Sequence, residues 1–193
     1  MPDSVSFDPK LFIITGNIMA ASFHFLFEIV KIALLSAGYS AVLFLFLDVI
    51  AKMPKLKFKK VSFFAIYRIV AIILFVFMFT YYGDHGLGDE SRIPIGNGKS
   101  VYASDGYPYL EMPGHSVQLN IGTFSISGDI ICAKADSGIL YYNLKSDKVV
   151  RFKREAAYMT FADKYKLPLP DEFEDFYKHY SEYWDGWRFW LLP

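Results

Sequence analysis

The chain has one cysteine, Cys132, so no disulfide can close within it and a covalently stapled secreted fold is excluded. It has no excess charge of either sign: 20 Lys and Arg stand against 20 Asp and Glu, and nothing global attracts nucleic acid. Histidine is sparse, with four in 193 residues, and no nucleophile–base pair or closed metal-ligand spacing is legible. A basic leader is also missing. The first 23 residues hold only Lys10 against Asp3 and Asp8, which argues against a cleaved signal peptide.

Three motifs come close to chemistry and fall short. Ile95-Gly-Asn-Gly-Lys-Ser100 resembles the end of a phosphate loop, but Ile93 stands where the first glycine belongs, and no helix follows to supply backbone N–H groups. Asp84, His85, Asp89 and Glu90 match neither calcium nor zinc spacing and read as a solvated linker. Asp171, Glu172, Glu174 and Asp175 read as charges at a helix start rather than paired catalytic carboxylates. Cys132, in Asp129-Ile-Ile-Cys-Ala133, reads as a buried strand residue. The expectation is a non-enzymatic protein with no cofactor and no metal.

What is abundant is apolar sequence. Hydrophobic residues make up 53% of the chain, and the excess lies before residue 83. Ile29–Ile50 would rise about 33 Å as a helix, matching a hydrocarbon core of ~30 Å, and Val61–Tyr82 has the same length. Between them lie Lys52, Lys55, Lys57, Lys59 and Lys60. Lysines in short loops stay cytoplasmic, so the sequence predicts a transmembrane hairpin with a cytoplasmic basic tip at 51–60 and both termini extracytoplasmic. The expected location is a bacterial inner membrane, crossed more than once.

Charges within spans need partners. Asp48 and Arg68 should fall within about one turn of each other and pair near the cytoplasmic headgroups. Glu28 and Lys31 are one turn apart and can pair at the opposite face. Residues 1–23 are expected along the outer interface, with Asp8 capping and Pro9 opening a helix that bends near Gly16-Asn17 or Ser22–His24. Ala33, Ser36, Ala37, Gly38 and Ser40 form a small-residue patch that can seat a second helix or another subunit.

Residues 84–98 read as a Gly-rich linker to a small domain at 99–193. There the periodicity becomes that of strands. Val117–Ile121 alternates, then Phe124–Ile126, Ile130–Ala133, Ile139–Leu144 and Val149–Phe152 follow at short spacing, separated by tight-turn compositions. Lys99–Ser104 and Tyr107–Glu111 add strands at the start. Tyr158, Phe161, Ala162 and Tyr165 mark one helix; Phe173, Phe176, Tyr177, Tyr180 and Trp184 mark a second that starts at Asp171-Glu172 and stops at Gly186. Strands followed by helices indicate an α+β domain with the helices on one sheet face. The tail Trp184-Asp-Gly-Trp-Arg-Phe-Trp-Leu-Leu-Pro193 can complete the core, sit at the membrane boundary or present an anchor patch. Trp187, Arg188 and Trp190, with Tyr107 and Tyr109, are the candidate partner contacts.

The run Ile139-Leu-Tyr-Tyr-Asn-Leu-Lys-Ser-Asp-Lys-Val-Val-Arg-Phe152, followed by a helix and Leu167-Pro-Leu-Pro170, resembles small bacterial proteins, some encoded beside toxins and regarded as immunity proteins. The resemblance covers roughly residues 90 to 193. It brings no catalytic motif and implies binding, with an incoming toxin as the protein partner and the lipid bilayer as anchor. Two other functions fit the same sequence: an accessory subunit docking through its spans, and a sensor whose β-domain faces the cytoplasm and binds a ligand.

Overall fold

The computed structural model describes residues 9–53, 61–112 and 118–193, with side chains from residue 18 onward. Asp8, Lys55, Lys57, Lys59, Lys60, His115 and Val117 lie outside the described residues, and so does the tip of the expected hairpin. The chain divides into two compact units, one of residues 1–89 with Leu191–Pro193, the other of residues 90–190.

In the first unit α1 (Pro9–Ala51) runs 43 residues, about 64 Å at ~1.5 Å per residue. It is not interrupted at either place expected to bend. A lone glycine weakens a helix without breaking it, and Ser22 returns its hydroxyl to the Ile18 carbonyl at 2.7 Å, inside the same helix. From Ile18 to Ala51 the helix is long and apolar enough to cross a membrane. α2 (Phe63–Met78) has 16 residues, about 24 Å, shorter than the hydrocarbon core. The second apolar run is therefore helical over less of its length than its hydropathy indicates.

The two helices pack through Ile32, Leu74 and Met78, with Leu35 and Val70 alongside, and Phe44 meets Phe63 edge-on at 6.1 Å. Pairing 32 with 74–78 and 44 with 63 makes them antiparallel. Glu28, Ile32, Ser36 and Ser40 are all buried, an i, i+4 stripe along one face of α1. The small-residue patch is thus divided: Ser36 and Ser40 face inward, while Ala33, Ala37 and Gly38 are exposed.

The second unit is an antiparallel seven-stranded meander in sequence order: β1 (Glu90–Gly96), β2 (Lys99–Ser104), β3 (Tyr107–Glu111), β4 (Gln118–Ser127), β5 (Ile130–Ala135), β6 (Gly138–Asn143) and β7 (Lys148–Phe152). β1 takes up seven residues of the expected linker. Pro94 masks it in the sequence, yet β1 is a sheet edge, where a residue without an N–H is tolerated. The phosphate-loop look-alike is the β1–β2 turn. Asn97 (φ 52°) and Gly98 (φ 73°) form a two-residue hairpin turn with both residues left-handed.

Alternation puts neighbouring residues on opposite faces. Ile131, Ala133, Leu140 and Tyr142 join Ile93, Val101, Leu110 and Phe124 in one core; Cys132 and Ile139 point into another. α3 (Glu155–Tyr165) covers the second core through Tyr158 and Ala162, and α4 (Phe176–Trp184) enters the first through Phe176. The two helices lie on opposite sheet faces, not on one. α4 also starts later than the sequence suggests. β4 is irregular between Ile121 and Phe124, and there Phe124 and Glu174 exchange backbone hydrogen bonds at 2.8 and 2.9 Å. That bridge holds residue 174 extended, so Asp175 becomes the cap and accepts the Lys178 N–H at 2.8 Å. Glu172 instead accepts from the Leu169 N–H at 2.7 Å. Gly186 (φ 70°) separates α4 from a short α5 (Trp187–Leu191).

Candidate binding surface

The C-terminal tail divides its aromatic residues between two environments. Trp184 is 7% exposed, and its indole N–H donates to the Arg92 carbonyl on β1 at 2.7 Å. Three residues on, past Gly186, Trp187 is 60% exposed and Trp190 is 72% exposed. Phe189 sits edge-on to Trp190 at 5.4 Å and is exposed as well. Arg188 is half-buried. Its guanidinium donates to the Tyr183 carbonyl at 2.9 Å and stacks over the rings of Tyr183 (4.3 Å) and Trp187 (5.0 Å). A guanidinium held between two rings has lost most of its rotamer freedom, which lowers the cost of ordering it against a partner.

Arg188 borders an open cleft of about 300 Å³. Ile93, Pro94, Ile95 and Ile126 give it an apolar lining; His179, Glu182, Tyr183 and Arg188 give it polar and aromatic groups. His179 is fixed in place, with Nε2 2.8 Å from the Phe124 carbonyl and its ring stacked on Phe124 at 4.3 Å. The lining offers both apolar and polar contacts to a side chain. Sequence reading missed this cleft, because Ile93–Ile95 lay in the supposed linker.

The tyrosine candidates lie elsewhere. Tyr109 stacks on Tyr102 at 5.4 Å, and Arg92 lies over Tyr102 at 5.6 Å, forming a ladder on the face opposite Val101 and Leu110. Burial, then the carboxylates of Glu90 and Glu111, raise the Tyr109 hydroxyl above its ordinary range. Tyr107 is 75% exposed at the β2–β3 turn. Among the described residues no ring contact joins either tyrosine to Trp187 or Trp190.

Cys132 is 1% exposed, and burial pushes its thiol up, partly offset by a hydrogen bond with Tyr158. A protonated, enclosed thiol is inert as a nucleophile. Lys99, the lysine of the phosphate-loop look-alike, is committed internally: it bonds the Leu144 carbonyl and lies 2.9 Å from Asp147.

The charged groups of the helical unit follow expectation at Glu28 and Lys31, which interact electrostatically, and depart from it at Asp48. Asp48 pairs with Lys52, one turn on, at 2.6 Å, and no Asp48–Arg68 pair forms among the described residues. The i, i+4 geometry on a continuous helix outcompetes an interhelical reach, and Arg68 lies on an exposed face. Glu28 faces two histidines, His24 at 3.8 Å and His85 at 3.6 Å, with Lys31 one turn away. His24 carried no signal in the sequence beyond its i, i+4 spacing from Glu28.

No protein-family model, curated protein or solved structure matches this chain.

Proposed function

We propose that this chain is a membrane-anchored, non-enzymatic binding protein. Its apolar helices hold it in a bacterial inner membrane, and its α+β unit docks a protein partner from the extracytoplasmic side. The observation that carries the reading is the stacked Trp187–Arg188–Tyr183 group beside the open cleft. Trp, Tyr and Arg dominate interface hot spots, and a pre-ordered anchor beside an apolar recess is how such residues act. The basic run from Lys52 to Lys60 supports a hairpin with its tip in the cytoplasm and both ends outside. The resemblance over residues 90–193 supports an incoming toxin as the partner. Tethering raises the effective concentration of the domain at the surface it would guard.

A photo-crosslinking residue in place of Trp187, in the full chain in its own membrane, tests the docking surface. The expected result is a protein adduct that Arg188→Glu abolishes and that the same crosslinker at Asp136 does not give. Adducts with lipid alone would place the aromatic tail on the bilayer and remove this reading. Protease added to intact spheroplasts should cleave residues 90–190. Protection of a demonstrably cleavable domain would favour the cytoplasmic ligand sensor instead.

The accessory-subunit reading draws on one observation, the exposed small residues Ala33, Ala37 and Gly38 on α1. Replacing both apolar segments by unrelated apolar helices should abolish function on that reading and leave it intact on the first.

A further inference from the structure

The helical unit holds a group of side chains that partner binding does not use. His24 and Glu28 stand one turn apart on α1, and His85 arrives from the segment after α2. Glu28 Oε1 lies 3.8 Å from His24 Nε2 and 3.6 Å from His85 Nε2, and one donor atom from each residue falls within 4.8 Å of the others. These separations are longer than hydrogen bonds. They are close to the spacing of about 3.4 Å between donors that share one zinc ion at ~2.0–2.2 Å in tetrahedral geometry. The Glu28 side chain is 3% exposed, and its second oxygen, Oε2, is buried without a hydrogen-bond partner. A buried carboxylate with an unmatched oxygen is costly unless it is paired or coordinates a cation.

We propose that His24, Glu28 and His85 form a Zn²⁺ site, three protein ligands with a fourth position for water or a group from outside the chain. Two imidazoles and one carboxylate favour zinc over magnesium or calcium, which take oxygen ligands. The site ties α1 to the segment that follows α2. That segment already touches α1, since the Gly88 N–H donates to His24 Nδ1 at 3.2 Å. With Nδ1 accepting, the His24 proton sits on Nε2. Ligation through Nε2 sends that proton to solvent while Nδ1 takes one up, so the ring stays neutral and the Gly88 contact is released. One hydrogen bond is a small loss beside metal coordination. Lys31 lies within electrostatic reach of Glu28 and opposes a cation there, so Lys31→Gln should tighten binding.

The test uses the full chain in detergent micelles, stripped with chelator and titrated with Zn²⁺ and with Co²⁺ as its spectroscopic substitute. The expected result is one Zn²⁺ per chain, and visible Co²⁺ bands that Zn²⁺ displaces. Glu28→Gln or His85→Ala should weaken binding more than ~100-fold, beyond the ~10–100-fold that a supporting hydrogen-bond partner is worth. His179→Ala, in the other unit, should leave it unchanged. His85→Cys should keep Co²⁺ binding and add a near-ultraviolet thiolate-to-cobalt band, a gain that reports direct ligation even if the Glu28 variant does not fold. The site is overturned by absence of saturable one-to-one binding, by loss on His179→Ala, or by binding to His85→Cys without the sulfur band. Each outcome is independent of whether Trp187 contacts a protein.

Discussion

The hydroxyl of Tyr142 donates to Asp147 Oδ1 at 2.8 Å, from a tyrosine with no exposed surface to a carboxylate at the end of the same hairpin. Lys99 completes the group, 2.9 Å from Asp147, with its ammonium 5.8 Å from the centre of the Tyr142 ring. Hydrogen bonds from Lys99 and then Tyr142 hold the Asp147 carboxyl below its usual value. A depressed carboxylate contributes stability that is present above its unfolded value, about 4, and lost as pH falls through the lower folded value. Asp147→Asn should therefore lower the melting temperature at neutral pH, and the gap to the parent should close below about pH 4. Thermal melts from pH 7 to pH 2 read this directly; a gap that persists unchanged in acid would remove the assignment.

At the alkaline end the sign reverses. Burial first, then the Asp147 partner, raises the Tyr142 hydroxyl, and burial raises that of Tyr158. Above about pH 10 the unfolded chain releases these protons while the folded chain keeps them, so stability falls. Tyr142→Phe should be less stable at pH 7 and lose less between pH 9 and pH 11. Equal alkaline slopes for variant and parent would contradict this.

The Trp184–Arg92 hydrogen bond joins α4 to the edge strand β1. Trp184→Phe keeps an aromatic ring in the core and removes the indole's hydrogen bond to the Arg92 carbonyl, which should cost ~0.5–1.5 kcal/mol. Trp184→Ala also opens a cavity and should cost ~3–5 kcal/mol. Denaturant unfolding followed by near-ultraviolet circular dichroism separates the two, and a Trp184→Phe variant as stable as the parent would show that the indole N–H contributes nothing.

Gly138 opens β6 at φ +123°, and a Cβ there would lie 2.1 Å from the Phe152 carbonyl oxygen. That oxygen is backbone and has no rotamer to turn away. Gly138→Ala should destabilise the α+β unit by ~2–4 kcal/mol, combining left-handed strain with overpacking. A melting temperature within a degree of the parent would refute the steric argument.

Cys132 should resist a soluble thiol reagent in the folded chain and react at the rate of unfolding, because its sulfur is enclosed and its proton is held by burial. Labelling kinetics across denaturant concentrations would show this. Fast native labelling at neutral pH would mean that α3 does not cover the strand.

Local chemistry made much of the fold legible. β2, β3, β5, β6 and β7 lie where alternation and turn residues place them, and two-residue turns fix the β2–β3, β4–β5 and β5–β6 hairpins. β1 was hidden by Pro94, whose tolerance depends on its strand being an edge, a property of the sheet and not of the residue. The start of α4 was misplaced because Asp171-Glu172 and Asp175 are equally good caps locally; only the Phe124–Glu174 bridge chooses between them. Of the candidate contacts, Trp187 and Arg188 come together because they are adjacent in sequence. The cleft beside them needs β1, β4 and α4 together.

By itself the sequence determined the long apolar helix, the α+β class of the second unit and the position of most strands, because hydropathy and turn propensity act within a few residues. Tertiary structure alone decided which sheet face each helix covers, which tryptophan is buried, and that His85 meets His24 and Glu28. Those outcomes depend on contacts between segments tens of residues apart, where register and packing, rather than the neighbouring residues, select the partner.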